Sequence, residues 1–204
     1  MLFSDAYFTV EKQSEGLFKD RGSKFIAYLF PVKDETEIKT ALTQLRKEHP
    51  SARHHCYAWV LGVDRSAVRS NDDGEPSNTA GKPILMQIHS KQLTNVLVVV
   101  VRYFGGTLLG VNGLINAYKN AAADAIAQAE ILEKHIQSEY SISFDSDDLS
   151  QVMRLLKELQ AEIISHEYHD TNMIRFSIRL SLCDKLEQHC LQLYKTKLTF
   201  IATK

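Results

Sequence analysis

The most distinctive apolar pattern in the chain is a continuous run at residues 96–101, in which five of the six residues are valine. β-branched residues favour extended backbone, and apolarity on both faces is typical of a strand covered on both sides. The run therefore predicts a central, doubly covered strand within residues 93–102. Residues 104–113 contain four glycines and predict a loop, and the alanine-rich segment 114–130 predicts a helix.

Upstream of this run the pattern alternates between short strands and amphipathic helices. Residues 24–31 predict a strand that ends at Pro31. Residues 34–48 predict a helix, because Ile38, Leu42 and Leu45 share one face and Asp34 is a suitable N-cap. Weaker patterns predict strands at 7–13, 16–20, 55–62 and 66–70, a polar loop at 71–76 and a short helix at 80–90.

Beyond residue 134 the strands show strict alternation of apolar and polar residues. The predicted elements are a strand at 135–144, a helix at 147–159 capped by Asp147, strands at 162–169 and 173–182 joined by a turn at 170–172, a helix at 184–194 and a strand at 197–202. This β-α-β-β-α-β order is that of ferredoxin-like domains. We therefore predict an α+β chain of two domains, residues 1–133 and 134–204, with the boundary near residues 131–136.

The charge and cysteine content exclude several classes of protein. The formal net charge is −1, with 15 basic and 15 acidic residues before residue 134 and 9 and 10 from there on, so neither part is a basic module. Nucleic-acid binding by counterion release would then need a local basic patch. Three cysteines without a CxxC pair argue against a disulfide framework. The N-terminal segment 1–10 lacks a signal-peptide core, and the longest apolar stretch, six residues, is far short of the roughly 20 that a membrane span needs, which predicts a cytoplasmic location.

Two polar segments interrupt the core-forming pattern and are the candidate site. In the first, Asp72, Asp73 and Glu75 lie within four residues. They allow three interpretations: a hard cation such as Mg²⁺, a turn with a helix cap, or contact with a ligand or partner. The segment from Gly74 to Lys82 lacks the spacing of a phosphate-binding P-loop.

The second polar segment is the glycine-rich loop after the valine run. It follows a strand and precedes a helix, a setting in which backbone N–H groups hold an anion or an RNA backbone. Left-handed backbone and tight packing are the alternative explanation of glycines such as Gly105, Gly106 and Gly110. The dinucleotide fingerprint is absent, since Thr107 stands where the second glycine is required.

Side chains beside these loops complete the candidate site. Arg102 is predicted either to pair with one of the three acids or to face a ligand phosphate. Tyr103 and Phe104 are candidates for stacking on bases, although core packing is the stronger expectation for Phe104. His54 and His55 are adjacent on a strand and point to opposite faces, so they do not share a metal, and one of them is expected to face the core. Cys56 is expected to be buried and inert.

The two segments resemble the IMPACT family, in its bacterial, YigZ-like branch. The resemblance rests on DDGEP at residues 72–76, TAGKP at 79–83, VVVVRYFGG at 98–106, LLG at 108–110 and RHHCYAW at 53–59. It covers the whole chain and implies a βαβ first domain like that of a ribosomal protein and of elongation factor domain IV. It also implies a ferredoxin-like second domain like elongation factor domain V. Asn71 and Asn112 depart from the usual serine and glycine, which implies a retained fold and a slightly altered site.

The resemblance also bears on function. Eukaryotic relatives regulate translation by blocking activation of an initiation-factor kinase through its ribosome-bound activator. They carry an extra N-terminal domain that binds other proteins and has no counterpart in this chain, so the kinase-regulating role is not transferred directly. The leading hypothesis is a non-catalytic, translation-associated regulator that binds nucleic acid or the ribosome. Its predicted site residues are Arg53, His54, Asp72, Asp73, Glu75, Lys82, Arg102, Tyr103, Gly105, Gly106 and Gly110, with no catalytic residue and no metal ligand.

Two alternatives stay open at this point. One is an enzyme that binds a small molecule or a nucleotide phosphate in the same cleft, with Mg²⁺ on the carboxylates. The other is a protein-interaction module that docks through the sheet of the second domain. The sequence predicts RNA, the ribosome, translation factors or a phosphate as partners and no membrane, and it leaves the oligomeric state open.

Overall fold

The computed structural model describes residues 5–168, 171–193 and 195–203. The chain divides into two compact units, Tyr7–Lys134 and a discontinuous unit made of Met1–Ala6 and His135–Lys204. Both units mix strands with helices, as the predicted α+β class requires. Residue 5 belongs with the second unit, and whether residues 1–133 and 134–204 fold independently stays a prediction.

The first unit is built on a five-stranded sheet. Its elements, in chain order, are β1 (Ala6–Val10), β2 (Ser14–Asp20), β3 (Ser23–Pro31), α1 (Glu35–Glu48), β4 (His54–Leu61), β5 (Ala67–Asn71), α2 (Gly81–Ser90), β6 (Val96–Tyr103), α3 (Gly110–Ala127) and β7 (Ile131–His135). The sheet order is β2-β3-β6-β4-β5, and all four pairings are antiparallel. Strands β3 and β4 therefore run in the same direction on either side of β6, and α1 connects them.

The valine run forms β6, the central strand, and both of its faces are buried, as predicted. Val96, Val98 and Val100 face a core shared with α2 and α3, whereas Val99 and Val101 face the side covered by α1. Asp34 caps α1 as predicted, because its carboxylate accepts hydrogen bonds from the backbone N–H groups of Thr36 and Glu37.

The second unit has the predicted order of elements. They are β8 (Gln137–Phe144), α4 (Leu149–Glu158), β9 (Glu162–Tyr168), β10 (Asn172–Arg179), α5 (Cys183–Cys190) and β11 (Lys197–Thr203), in an antiparallel sheet of order β11-β8-β10-β9. Tyr140, Ile142 and Phe176 on the sheet pack against Val152 and Leu186 on the helices. The predicted positions of His169, Asp170 and Tyr194 lie outside the described residues.

Asp5 is an integral part of the second unit. Its buried carboxylate accepts two hydrogen bonds from Arg179, at 2.7 and 2.6 Å, and one from the backbone N–H of Ser181. The N-terminal end of the described chain is thereby held by residues that follow it by more than 170 positions. Nothing in the sequence pattern predicted this contact.

Several predicted boundaries were wrong. Helix α3 begins at Gly110 rather than at residue 114, so the last four residues of the predicted glycine loop are helical. The strand predicted at 135–144 divides between β7, which pairs with β1, and β8. Strand β10 ends at Arg179, since Leu180–Leu182 forms a 3₁₀ turn, and Asp147 lies in another such turn rather than capping α4.

Candidate functional site

The two polar segments meet at the end of β6, where Arg102 forms an ion pair with Glu75. The guanidinium Nη1 lies 2.6 Å from the Glu75 Oε1, and the side chains are only 7% and 4% exposed. The Tyr118 hydroxyl, on α3, donates to the same oxygen at 2.8 Å. Of the three acids that the sequence offered as a partner for Arg102, the structure selects Glu75. A buried charge needs such a partner, because taking an unpaired ion out of water is costly.

The other two acids of the loop organise its backbone. The Asp72 carboxylate accepts hydrogen bonds from the N–H groups of Asn78, Ala80 and Gly81, and so it satisfies the start of α2. The Asp73 carboxylate accepts a bond from the N–H of His55 at 2.7 Å and lies 3.3 Å from the Arg46 guanidinium. All three carboxylates therefore have partners within the protein.

Two residues behind the ion pair have displaced pKa values. Burial raises the pKa of the Tyr118 hydroxyl, and it raises the pKa of the Cys56 thiol, which lies 3.3 Å from that hydroxyl and 2.9 Å from the Asp72 carbonyl oxygen. The thiol therefore stays protonated near neutral pH and is a poor nucleophile, as expected from the sequence.

The side chains of the two adjacent histidines point to different faces of the sheet, as predicted. His55 faces the interior and is 5% exposed, and burial lowers its pKa although the Asp73 carboxylate acts in the opposite direction. His54 is half-buried, and its Nδ1–H donates to the carbonyl of Asp73 at 2.9 Å. His54 is thus held against the acidic loop, with its ring beside Gly74.

Close packing accounts for the first glycine of the glycine-rich loop. A Cβ on Gly105 would lie 1.9 Å from the carbonyl carbon of Gly22, in the turn between β2 and β3. The N–H of Gly105 donates to the Ser23 Oγ at 3.1 Å, so this donor already has a partner. Gly106 and Gly110 adopt φ values of +88° and +71°, which side chains disfavour. These features match the conformational explanation; anion binding by the three glycines stays a prediction.

A hollow of about 650 Å³ opens beside the ion pair, and we call it the Arg102 hollow. It is lined by Ser51, Arg53, His54, Arg102, Tyr103, Phe104 and Leu108. Its volume lies within the range of about 300–1,000 Å³ that is usual for small-ligand sites. Arg102 presents its guanidinium 5.6 Å from the centre of the Phe104 ring, and its Nε–H has no hydrogen-bond partner among the described residues.

The expectation that Phe104 packs in the core was wrong. Its ring is 56% exposed on the wall of the hollow, and the neighbouring Leu108 is 82% exposed. The physical reason is that β6 ends at Tyr103 and Gly105 is pressed against Gly22, so Phe104 lies outside the sheet. Exposed aromatic and aliphatic side chains beside cationic groups provide a surface on which a flat ring can stack.

The Tyr103 side chain is fixed in place by a hydrogen bond to His49. Its hydroxyl lies 2.8 Å from Nδ1 of His49, whose Nε2 lies 2.8 Å from the Tyr28 hydroxyl. A neutral imidazole donates through one nitrogen and accepts through the other, so His49 fits between two hydroxyl groups. Burial raises the pKa of Tyr28, which remains a hydroxyl near neutral pH. The cluster joins the end of α1 to the floor of the hollow.

Apart from the three glycines, the predicted site residues fall into three groups. Arg53, His54, Arg102 and Tyr103 line the hollow, and Asp72, Asp73 and Glu75 lie behind it. Lys82, the remaining predicted site residue, is exposed in the first turn of α2 and does not line the hollow. Sequence reasoning missed Ser51 and Leu108 as lining residues, and no local pattern identified them.

Two further properties concern only the described part of the chain. No group of three or more His, Cys, Asp or Glu residues there is placed to hold a metal ion. None of its helices combines the length and the apolarity needed to cross a membrane. A cytoplasmic location stays a prediction.

Comparison with known proteins gives consistent results. Residues 21–126 match the sequence model of the Impact N-terminal domain. The chain is 36% identical over 158 residues to IMPACT family member YigZ of Escherichia coli, covering 76% of this chain and 78% of that protein. It is 31% identical over 194 residues to IMPACT family member YvyE of Bacillus subtilis, covering 95% and 87%. A solved structure described as a hypothetical protein superposes with a TM-score of 0.71 at 29% identity, covering 98% of this chain and 99% of that one.

Proposed function

The chain belongs to the IMPACT family, and from that premise we propose that it is a non-catalytic, translation-associated regulatory protein that binds single-stranded RNA in the Arg102 hollow. The association with translation, and with the ribosome, rests on what the family resemblance implies. The RNA-binding part rests on the chemistry of the hollow. The likenesses to ribosomal-protein and elongation-factor domains belong to the same proposal.

The single observation that carries the proposal is the placement of Arg102. Its side chain is 7% exposed, its Nη1 is paired with Glu75, and the residue lines an open hollow. A guanidinium carries five N–H donors, so where Arg102 lines the hollow it favours a ligand that brings an acceptor. A phosphate oxygen or a base carbonyl would supply that acceptor.

The neighbouring side chains suit a nucleotide. Phe104 offers an exposed ring for a base, whereas Arg53 and His54 line the polar side of the hollow, where a phosphate would lie. Unstacked bases of single strands bind in this way, with aromatic side chains on one face and cations along the backbone. Duplex RNA is recognised mainly by its shape across a groove, which a hollow of this size cannot accommodate.

The engagement of the loop carboxylates supports the non-catalytic part of the proposal. Asp72, Asp73 and Glu75 each accept hydrogen bonds from the protein, which gives all three carboxylates a structural role. Cys56 is buried and its raised pKa makes it a poor nucleophile. The enzyme and the protein-interaction module stay as alternatives without a comparable observation in their favour.

The test is binding of a fluorescent oligouridylate of about ten nucleotides, measured by anisotropy from about 50 to 300 mM salt. Affinity is expected to fall as salt rises. Phe104→Ala is expected to weaken binding by about 1–3 kcal/mol, or roughly 5- to 150-fold, since one stacked base contributes this much. Because Phe104 is largely exposed, the variant should fold normally.

Val68→Ala is the matched control, since Val68 is 44% exposed on β5 and does not line the hollow. Its affinity should equal that of the unaltered protein. No binding at any salt concentration, or equal binding by the Phe104 and Val68 variants, would overturn the proposal.

A further inference from the structure

A row of basic side chains crosses the end of the sheet beside the Arg102 hollow. In the antiparallel register Lys24 on β3 lies directly opposite Tyr103 on β6, and Lys19 on β2 lies directly opposite Lys24. Residues directly opposite each other point to the same face of a sheet. The face that carries Tyr103 therefore also carries both lysines.

The glycine-rich loop fixes this row next to the hollow. Gly105 packs against Gly22 and donates to Ser23, so the turn between β2 and β3 is held directly beside the strand end that carries Phe104. On the other side of Tyr103 lies β4, in which His54 pairs with Arg102. Because the two strands are antiparallel, Arg53, which immediately precedes His54, lies beside Tyr103. We call Lys19, Lys24 and Arg53 the basic strip.

Without a bound ligand, the basic strip lowers the stability of the protein. Like charges directly opposite each other on neighbouring strands repel and destabilise the pair. Within the described residues neither lysine nor Arg53 forms an ion pair, and all three side chains are exposed. Asp20 alternates with Lys19 and so points to the opposite face of β2. Glu15 lies on the same face as Lys19 but four residues away, opposite Tyr28.

We propose that the basic strip is a track for the phosphodiester backbone of a single strand whose neighbouring nucleotide occupies the hollow. This rests on the proposed function and extends it, since it gives the strand a direction across β6, β3 and β2. Three strand spacings of about 4.8 Å give the track a length of about 14 Å. A polyanion relieves the repulsion between the lysines and releases its counterions in doing so.

The experiment compares a uridine dinucleotide, which fills only the hollow, with an oligouridylate of about ten nucleotides. For the longer strand, Lys19→Gln with Lys24→Gln is expected to reduce the slope of log affinity against log salt by about 1.4, because each phosphate contact contributes about 0.7 for single strands. Affinity for the dinucleotide should not change. The matched control, Lys33→Gln with Lys91→Gln, makes the same change in charge at the opposite end of the sheet, and its slope should equal that of the unaltered protein.

The possible results separate the strip from the hollow. If the Lys19/Lys24 variant matches the control, or if it weakens the dinucleotide as much as the longer strand, the track is overturned while RNA binding in the hollow stands. If the unaltered protein binds neither oligonucleotide, both the track and the proposed function are overturned.

Discussion

The buried pair between Arg102 and Glu75 gives the sharpest prediction for stability. Glu75→Leu removes a carboxylate that is 4% exposed and leaves the Arg102 guanidinium, 7% exposed, without its counterion. Breaking a buried ion pair from one side costs about 3–5 kcal/mol, because the remaining charge is desolvated and unpaired. With a urea dependence of about 2 kcal/mol per molar, the unfolding midpoint should fall by about 2 M.

A double-mutant cycle separates the ion pair from the other contacts of its members. Arg102→Met should be destabilising for the same reason, whereas Glu75→Leu combined with Arg102→Met should recover most of the loss, since no buried charge remains. All members of the cycle should carry Tyr118→Phe as a common background. Otherwise the Tyr118 hydroxyl, which donates to Glu75, would be left without an acceptor in the Glu75→Leu variants.

The chain contains its own reporter for this experiment. Trp59 is the single tryptophan and is buried within the first unit, so its fluorescence follows the unfolding of that unit in urea. Arg46→Ala is the control, because the pair of Arg46 with Asp73 is 55% and 27% exposed and such pairs contribute at most about 1 kcal/mol. Equal, small shifts for Glu75→Leu and Arg46→Ala would show that the Arg102 pair is solvated and would refute the reasoning.

Two further predictions concern the tight turn and the acidic N-terminal contact. Gly105→Ala should lower the free energy of unfolding by at least about 3 kcal/mol, because its Cβ would collide with the Gly22 backbone at 1.9 Å. Gly106→Ala should lower it by about 1–2 kcal/mol through its φ of +88° alone. Equal urea midpoints for the two variants would contradict this. Asp5→Asn should weaken hydrogen-exchange protection in β8 and β10 at pH 7, because hydrogen bonding from Arg179 holds the pKa of Asp5 well below its usual value. The stabilisation from a lowered carboxyl pKa is present above about pH 4 and is lost as the pH falls through the folded-state pKa. If the difference in exchange protection between Asp5→Asn and the unaltered protein stayed the same at low pH, the charge of Asp5 would be excluded as its cause.

Features encoded by neighbouring residues were predicted well. The central position of β6 follows from valine on both faces of one strand, and the start of α1 follows from the ability of Asp34 to cap its own helix. The meeting of Arg102 with the acidic loop was also foreseeable, since a charge at the end of a core strand needs a partner. The choice of Glu75 was not, because all three acids lie within four residues and only the fold distinguishes them.

Features that depend on distant contacts escaped prediction. The exposure of Phe104 is set by the packing of Gly105 against a turn more than 80 residues earlier, and no local pattern encodes that contact. Helix α3 begins at Gly110 and includes Gly113, although glycine inside a helix costs about 1 kcal/mol relative to alanine. Buried residues further along it, such as Leu114 and Tyr118, anchor the helix in the core, and this packing offsets the low propensity.

The anchoring of Asp5 by Arg179 has a consequence for how the protein is made. A ribosome that adds about 5–20 residues per second needs about 9–35 s to synthesise the 174 residues that separate them. Throughout that interval the aspartate lacks its arginine partner, and its position is fixed only after Arg179 has been synthesised. Asp5 is therefore positioned by a residue made long after it, and a fragment that starts at residue 134 lacks the carboxylate that accepts the hydrogen bonds of Arg179.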